Sequence, residues 1–199
     1  MVGKDAQTVS EWMTAIWNNF DDGSVSLERY ADTLAALGAA TASSADEIAG
    51  GLEKFAAVAD TVGLSYEYAA SALATITAET RQSEDVVGTA LKTIFARVEN
   101  LKLGETLEDG TSLGKYSLGL ESVGVDIKEA NGELKDMDLI LDQIGARWET
   151  LARDEQVALA QTVAGIRQYS QFMALMDNWD VMEKNLEITE KANGALNEQ

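Results

Sequence analysis

The sequence has no cysteine, no histidine and no proline. Without cysteine there can be no disulfide and no thiolate zinc site. Without histidine the usual general base, the commonest metal ligand and every Ser-His or Cys-His nucleophile pair drop out. Without proline, helices meet no ring in their interior. Basic residues are scarce: 15 Lys+Arg stand against 34 Asp+Glu, a formal charge of −19 over 199 residues. Such a charge repels phosphate backbones and anionic membranes, so direct nucleic-acid binding is not expected. Acidic, solvated helix faces account for most of it. No apolar run approaches the ~20 residues that cross a bilayer. The opening residues MVGKDAQT lack an apolar signal core behind their lysine. A soluble chain with no transmembrane segment is expected.

What the sequence does have is helical periodicity, strongest in residues 63–101. Tyr66, Ala69, Leu73 and Ile76 recur at three- and four-residue spacing. After a polar joint, Val86, Val87, Ala90, Leu91, Ile94, Phe95, Val98 and Leu101 do the same over a broad face. Ser65 and Ser83 stand at N-cap positions, and Arg81-Gln82 leave the first helix. Neither helix can bury such a face alone, so both need helical neighbours.

The flanking sequence supplies them. Val9, Trp12, Met13, Ile16, Trp17 and Phe20 line a first helix that Asp21-Asp22-Gly23 ends. The following DDGSVSLE lacks the ligand spacing of an EF-hand and reads as a turn. Ser26 caps a second helix, with Leu27, Tyr30, Leu34 and Leu37 inward and Gly38 as its stop. Ser44 and Glu47 form a capping box for a third, which ends at Gly63. Gly50-Gly51 inside it cost about 1 kcal/mol each relative to alanine, which suggests close approach of a neighbour.

Residues 102–124 carry five glycines. GTSLGK is not a phosphate-binding loop, because the glycine spacing is wrong and Tyr116 follows Lys115. Leu113, Tyr116, Leu120 and Val123 fit a short helix ended by Gly124. In VDIKEANGELK, Val125 and Ile127 alternate with polar residues and Asn131-Gly132 is a strong hairpin turn signal, so a two-stranded ribbon is expected. Asp136 or Asp138 caps a helix bearing Met137, Ile140, Leu141, Ile144, Trp148 and Leu151. Asp154 caps another with Val157, Ala160 and Val163, and Gly165 marks a break. Beyond it Ile166, Tyr169, Phe172, Met173, Met176 and Trp179 form a wide apolar face, which thins through Met182 and Leu186 and frays from about Asn193.

The expected fold is mainly α: a bundle of about 8–10 short helices with one small β-hairpin around residues 125–135. Residues 1–103 read as a helical lobe and 104–199 as a hairpin-plus-helices lobe, with one continuous domain the alternative. Catalytic, cofactor-binding and metal-ligating residues are not expected. Carboxylates such as Asp46, Glu47, Glu84, Asp85, Asp154 and Glu155 fall in predicted first turns, where the helix dipole explains them. The candidate packing or interface residues are Trp12, Trp17, Phe20, Arg167, Tyr169, Phe172 and Trp179. The first three are core anchors or a docking face. Arg167 is a solvated charge or an inter-helix ion pair.

Three stretches in order, residues 45–98, 122–148 and 151–179, resemble the core region of tape measure proteins from long-tailed bacteriophages. The carrying features are a helix ending before GLS, a helix pair with VGTALKTIFARV, the ribbon with Asn131-Gly132, and AGIRQYSQFMALM. One joint departs: the family often has a glycine between the two central helices, whereas Glu79–Glu84 has none.

The resemblance implies a structural virion protein and no enzyme. It would direct tail tube assembly and length, occupy the tube lumen, and leave through the tube at genome ejection. The implied partners are the tail tube protein and tail assembly chaperones, met in the host cytoplasm; self-association stays open. Breaks every 12–20 residues describe a folded body rather than a ruler, so the chain is expected to be part of a longer protein. The alternative is a self-contained acidic helical binding module with no virion role.

Overall fold

The computed structural model describes residues 6–21, 23 and 26–192. The expected fraying from Asn193, and Asp22 in the first turn, lie outside the described residues. The described residues form nine helices: α1 (Ala6–Phe20), α2 (Leu27–Ala40), α3 (Ala45–Thr61), α4 (Tyr66–Thr80), α5 (Glu84–Lys102), α6 (Leu113–Glu121), α7 (Met137–Trp148), α8 (Arg153–Asp177) and α9 (Trp179–Lys191).

The centre is α4. Tyr66, Ala69, Leu73 and Ile76 are buried, but so are Tyr68, Ala70, Ala72 and Ala74 on its other sides. A helix buried all round must be wrapped by others, and α2, α3, α5, α8 and α9 all pack on it. Its polar groups are partly matched: Thr75 Oγ1 donates to the Ser71 carbonyl at 2.8 Å and accepts from Asn185 of α9 at 2.9 Å.

Helix boundaries follow local chemistry. The Ser44–Glu47 capping box forms in full, and Ser26 and Ser65 accept from Arg29 and Tyr68 N–H groups. Gly63, at φ +72°, stops α3. The α4–α5 joint needs the same left-handed conformation, and Arg81 supplies it at φ +57° as the cap of α4. Two expected boundaries move, and one expected cap keeps its place without its side-chain bond. Helix α2 runs through Gly38 to Ala40; a Cβ at Gly38 would lie 2.6 Å from the Ala45 backbone nitrogen, so the glycine admits the start of α3. Ser83 sits at the N-cap of α5 without a side-chain cap bond. The N-cap of α8 is Ala152 rather than Asp154, and Glu155 reaches back to its N–H at 2.8 Å.

The Gly50-Gly51 pair of α3 does admit a neighbour. A Cβ on Gly88 of α5 would lie 2.6 Å from the Gly51 carbonyl oxygen, and one on Gly50 would meet the Trp12 ring of α1 at 3.2 Å. Glycine is thus the residue that lets α3 and α5 cross with their backbones touching.

The expected hairpin at 125–135 is not formed. The turn is present, with Gly132 at φ +88° and Asn131 Oδ1 accepting from Glu133 N–H at 3.0 Å. Only one antiparallel bridge, Lys128 with Leu134, stands beside it. Two backbone bonds flank it, Glu129 N–H to the Glu133 carbonyl at 2.8 Å and Lys135 N–H to the Ile127 carbonyl at 2.9 Å, and the pairing goes no further; the first arm is held by side chains instead. Asp126 N–H goes to Gln143 Oε1 at 3.0 Å, and Lys128 N–H to Asp126 Oδ1 at 3.1 Å. Val125 and Ile127 are both buried and serve as anchors in the helical core instead of strand residues.

Helix α8 breaks at Gly165, whose φ/ψ of 74°/164° is non-helical. At about 100° per residue, a straight helix would point Leu159, Ala160, Val163 and Ala164 about half a turn away from Phe172, Met173, Leu175 and Met176. All eight are buried. The break therefore rotates the second stripe so that both face one core. That core is a single cluster of buried residues from Ile16 to Met182, continuous across residue 103.

Candidate functional site

Among the described residues, two clefts between the helices stand out. The first, about 590 Å³, lies where the start of α7 meets the α3–α4 turn. Backbone bonds seat α7 there: Met137 N–H donates to the Val62 carbonyl at 3.0 Å and Asp138 N–H to the Gly63 carbonyl at 3.4 Å. Asp136, at the N-cap of α7, makes no side-chain cap bond; it lies against Gly63, where no Cβ would fit. Asp138 caps across the sequence instead. Its carboxylate accepts from Ser65 N–H at the start of α4, at 3.2 and 3.3 Å from its two oxygens. Burial pushes Asp138 up to about 6 despite those bonds, and the neighbouring Asp142 and Asp136 add to the rise. Tyr68, one turn into α4, donates its hydroxyl to Asp142, and burial raises that phenol far above its ordinary range.

The floor of this cleft is aromatic. Tyr30 and Tyr66 meet edge to face with centroids 4.4 Å apart, and Phe20 lies 5.8 Å from Tyr66. The Tyr30 hydroxyl donates to the Phe20 carbonyl at 2.8 Å, and the Tyr66 hydroxyl to the Tyr30 carbonyl at 2.7 Å. These bonds tie the end of α1 to α2 and α4. Arg29 lines the same cleft but serves α9, donating to the carbonyls of Thr189, Glu190 and Ala192 at that helix's negative end.

The second cleft, about 740 Å³, runs between α5, the 105–109 loop and the α8 break. Arg97 lies under Gly165, and its Nη1 pairs with Asp109 at 2.8 Å. Hydrogen bonds from Thr111, then the Arg97 charge, hold the Asp109 carboxyl below its ordinary value. The Arg97 side chain is 15 % exposed. Its Nε and Nη2, and the Tyr116 hydroxyl on α6, have no hydrogen-bond partner among the described residues.

The family model for phage-related minor tail proteins matches residues 1–165. The chain belongs to that family. No solved structure matches it. Among the described residues of this minor tail protein, no group of three or more Asp or Glu is arranged to hold a metal ion, and no helix is long and apolar enough to cross a membrane.

The residues singled out from the sequence fall into two groups. Trp12, Trp17 and Phe20 are half-buried and pack on the core, Trp17 edge-on to Tyr30 at 5.6 Å. Phe172 is buried edge-on to Trp148 at 6.4 Å. Trp179 fills the space over Gly145 and tilts against Tyr68 at 6.4 Å. Tyr169 is half-buried and Arg167 is exposed at the rim of the second cleft. Only Phe20 lines the first cleft. The sequence offered Asp138 only as a cap of its own helix and did not point to Arg29 or Arg97, since Asp138 and Arg29 act on partners distant in sequence and Arg97 on a loop with no periodicity to place it.

Proposed function

We propose that this minor tail protein is the core domain of a tape measure protein. It takes part in tail tube assembly and length control, and leaves through the tube at genome ejection. The observation that carries the reading is the family match taken with the ordered resemblance over residues 45–98, 122–148 and 151–179. Those segments make up α3–α5, the turn and α7, and α8; they include the central helix α4 and three of the helices packed on it, α3, α5 and α8. The physical form divides the labour. The longest helix has 25 residues and is broken at Gly165, and a straight helix of that length spans only about 37 Å. A ruler needs far more length, so the ruler proper would lie in other parts of a longer protein. This body would serve assembly, with the tail tube protein and tail chaperones as partners, in the host cytoplasm and then in the virion tail. No catalytic role is proposed.

Mass spectrometry of purified particles before and after triggered ejection tests the reading. The chain should be present in full particles and depleted from emptied ones. Absence from full particles would contradict it.

A further inference from the structure

The first cleft is an apolar groove with a mainly acidic rim. Phe20, Leu64 and Leu139 supply its apolar wall, and among the described residues Leu139 is 49 % exposed there. The charged groups facing it are Asp60 from α3, Glu67 from α4, Asp136 and Asp138 from α7, and Arg29 from α2; Asp142 stands behind Asp138. Arg29 has its guanidinium engaged by three carbonyls of α9. Among the described residues Asp138 is held by Ser65 alone, through an N–H shared between its two oxygens and through the serine side chain, although a carboxylate has about four acceptor positions. The groove thus presents apolar surface, unfilled acceptor capacity and net negative charge.

We propose that this groove docks a lysine- or arginine-bearing segment of a partner protein. The aliphatic stem would lie on Leu139 and Phe20 and the cationic head on Asp138 and Asp136, the way long basic side chains divide between apolar and polar surroundings. Charge complementarity selects this occupant. A second copy, at −19, is repelled, and so are anionic membranes and nucleic acid. The inference does not depend on the tape measure reading.

The test is an NMR titration of the full 199-residue chain with a short peptide carrying one lysine beside a leucine. A counterpart with norleucine for lysine is the control. The lysine peptide should shift the amides of Gly63–Glu67 and Asp136–Leu139 as a group. Asp138→Asn, which keeps an oxygen for Ser65, should weaken binding about tenfold with the remaining spectrum unchanged. Shifts spread evenly over the acidic surface, equal binding of the norleucine peptide, unchanged affinity in Asp138→Asn, or no binding would each overturn the proposal.

Discussion

Gly88 of α5 and Gly51 of α3 touch through their backbones: a Cβ on Gly88 would stand 2.6 Å from the Gly51 carbonyl oxygen and 3.1 Å from its Cα. Neither atom can swing away as a flexible side chain could. The contact fixes how near the two helices come, and with it how deeply Leu73 of α4 sits against Gly51. Gly88→Ala should therefore destabilise the fold by about 2–3 kcal/mol, more than the ~1 kcal/mol that alanine gains in helix propensity. Gly114→Ala, in the first turn of α6 with only Ser112 Oγ at 4.0 Å, should be neutral or stabilising. Urea unfolding of the two variants compares them directly.

Asp138 makes stability depend on pH. Its carboxyl is raised to about 6 in the fold from an ordinary 3.8, so the folded state binds its proton more tightly than the unfolded state. Its contribution is fully present below pH 4 and is lost as pH rises to about 6. Asp138→Asn removes that loss and should exceed the parent by about 1–2 kcal/mol at pH 7, allowing for partial solvent screening. The difference in urea midpoint between variant and parent should shrink from pH 7 to pH 4. A constant difference would refute the linkage.

At Gly165 the conformational requirement is stricter than at an ordinary helix end. The residue has φ +74°, and a Cβ would meet the Arg97 guanidinium at 3.0 Å. Gly165→Ala should lower stability by about 1–3 kcal/mol. The near-ultraviolet signal of Trp148, packed on Phe172 beyond the break, should change with it.

Arg97 and Asp109 form a pair whose two halves differ in burial, at 15 % and 33 % side-chain exposure. Asp109→Asn leaves a mostly buried guanidinium without its counter-charge, at a cost of about 2–3 kcal/mol. Arg97→Met keeps the packing and removes the two donors that lack partners, so it should cost less. Thermal melts that rank the variants the other way would contradict this view of the pair.

The sequence made the helices legible because their caps and stripes are local. Ser44 with Glu47, Ser26, Ser65 and Gly63 act within one turn of themselves. Alanine hid the depth of α4: Ala70, Ala72 and Ala74 add no facial signal, so of a helix buried all round only the face of Tyr66, Ala69, Leu73 and Ile76 was legible. The ribbon failed for a related reason. The turn at Asn131-Gly132 is local, whereas Gln143, which takes the Asp126 N–H, lies 17 residues away. The first cleft was illegible altogether, because Asp138 and Ser65 are 73 residues apart and nothing near either announces the other.

The most direct measurement of the central claim is an in-frame deletion of Ser44–Leu101 from the parent gene, with particles imaged by electron microscopy. That segment holds α3, α4 and nearly all of α5, the centre of the core. A tape measure core predicts particles with missing or altered tails, and shortening in proportion to the deletion would mark the segment as ruler. Tails of normal number and length would contradict the account.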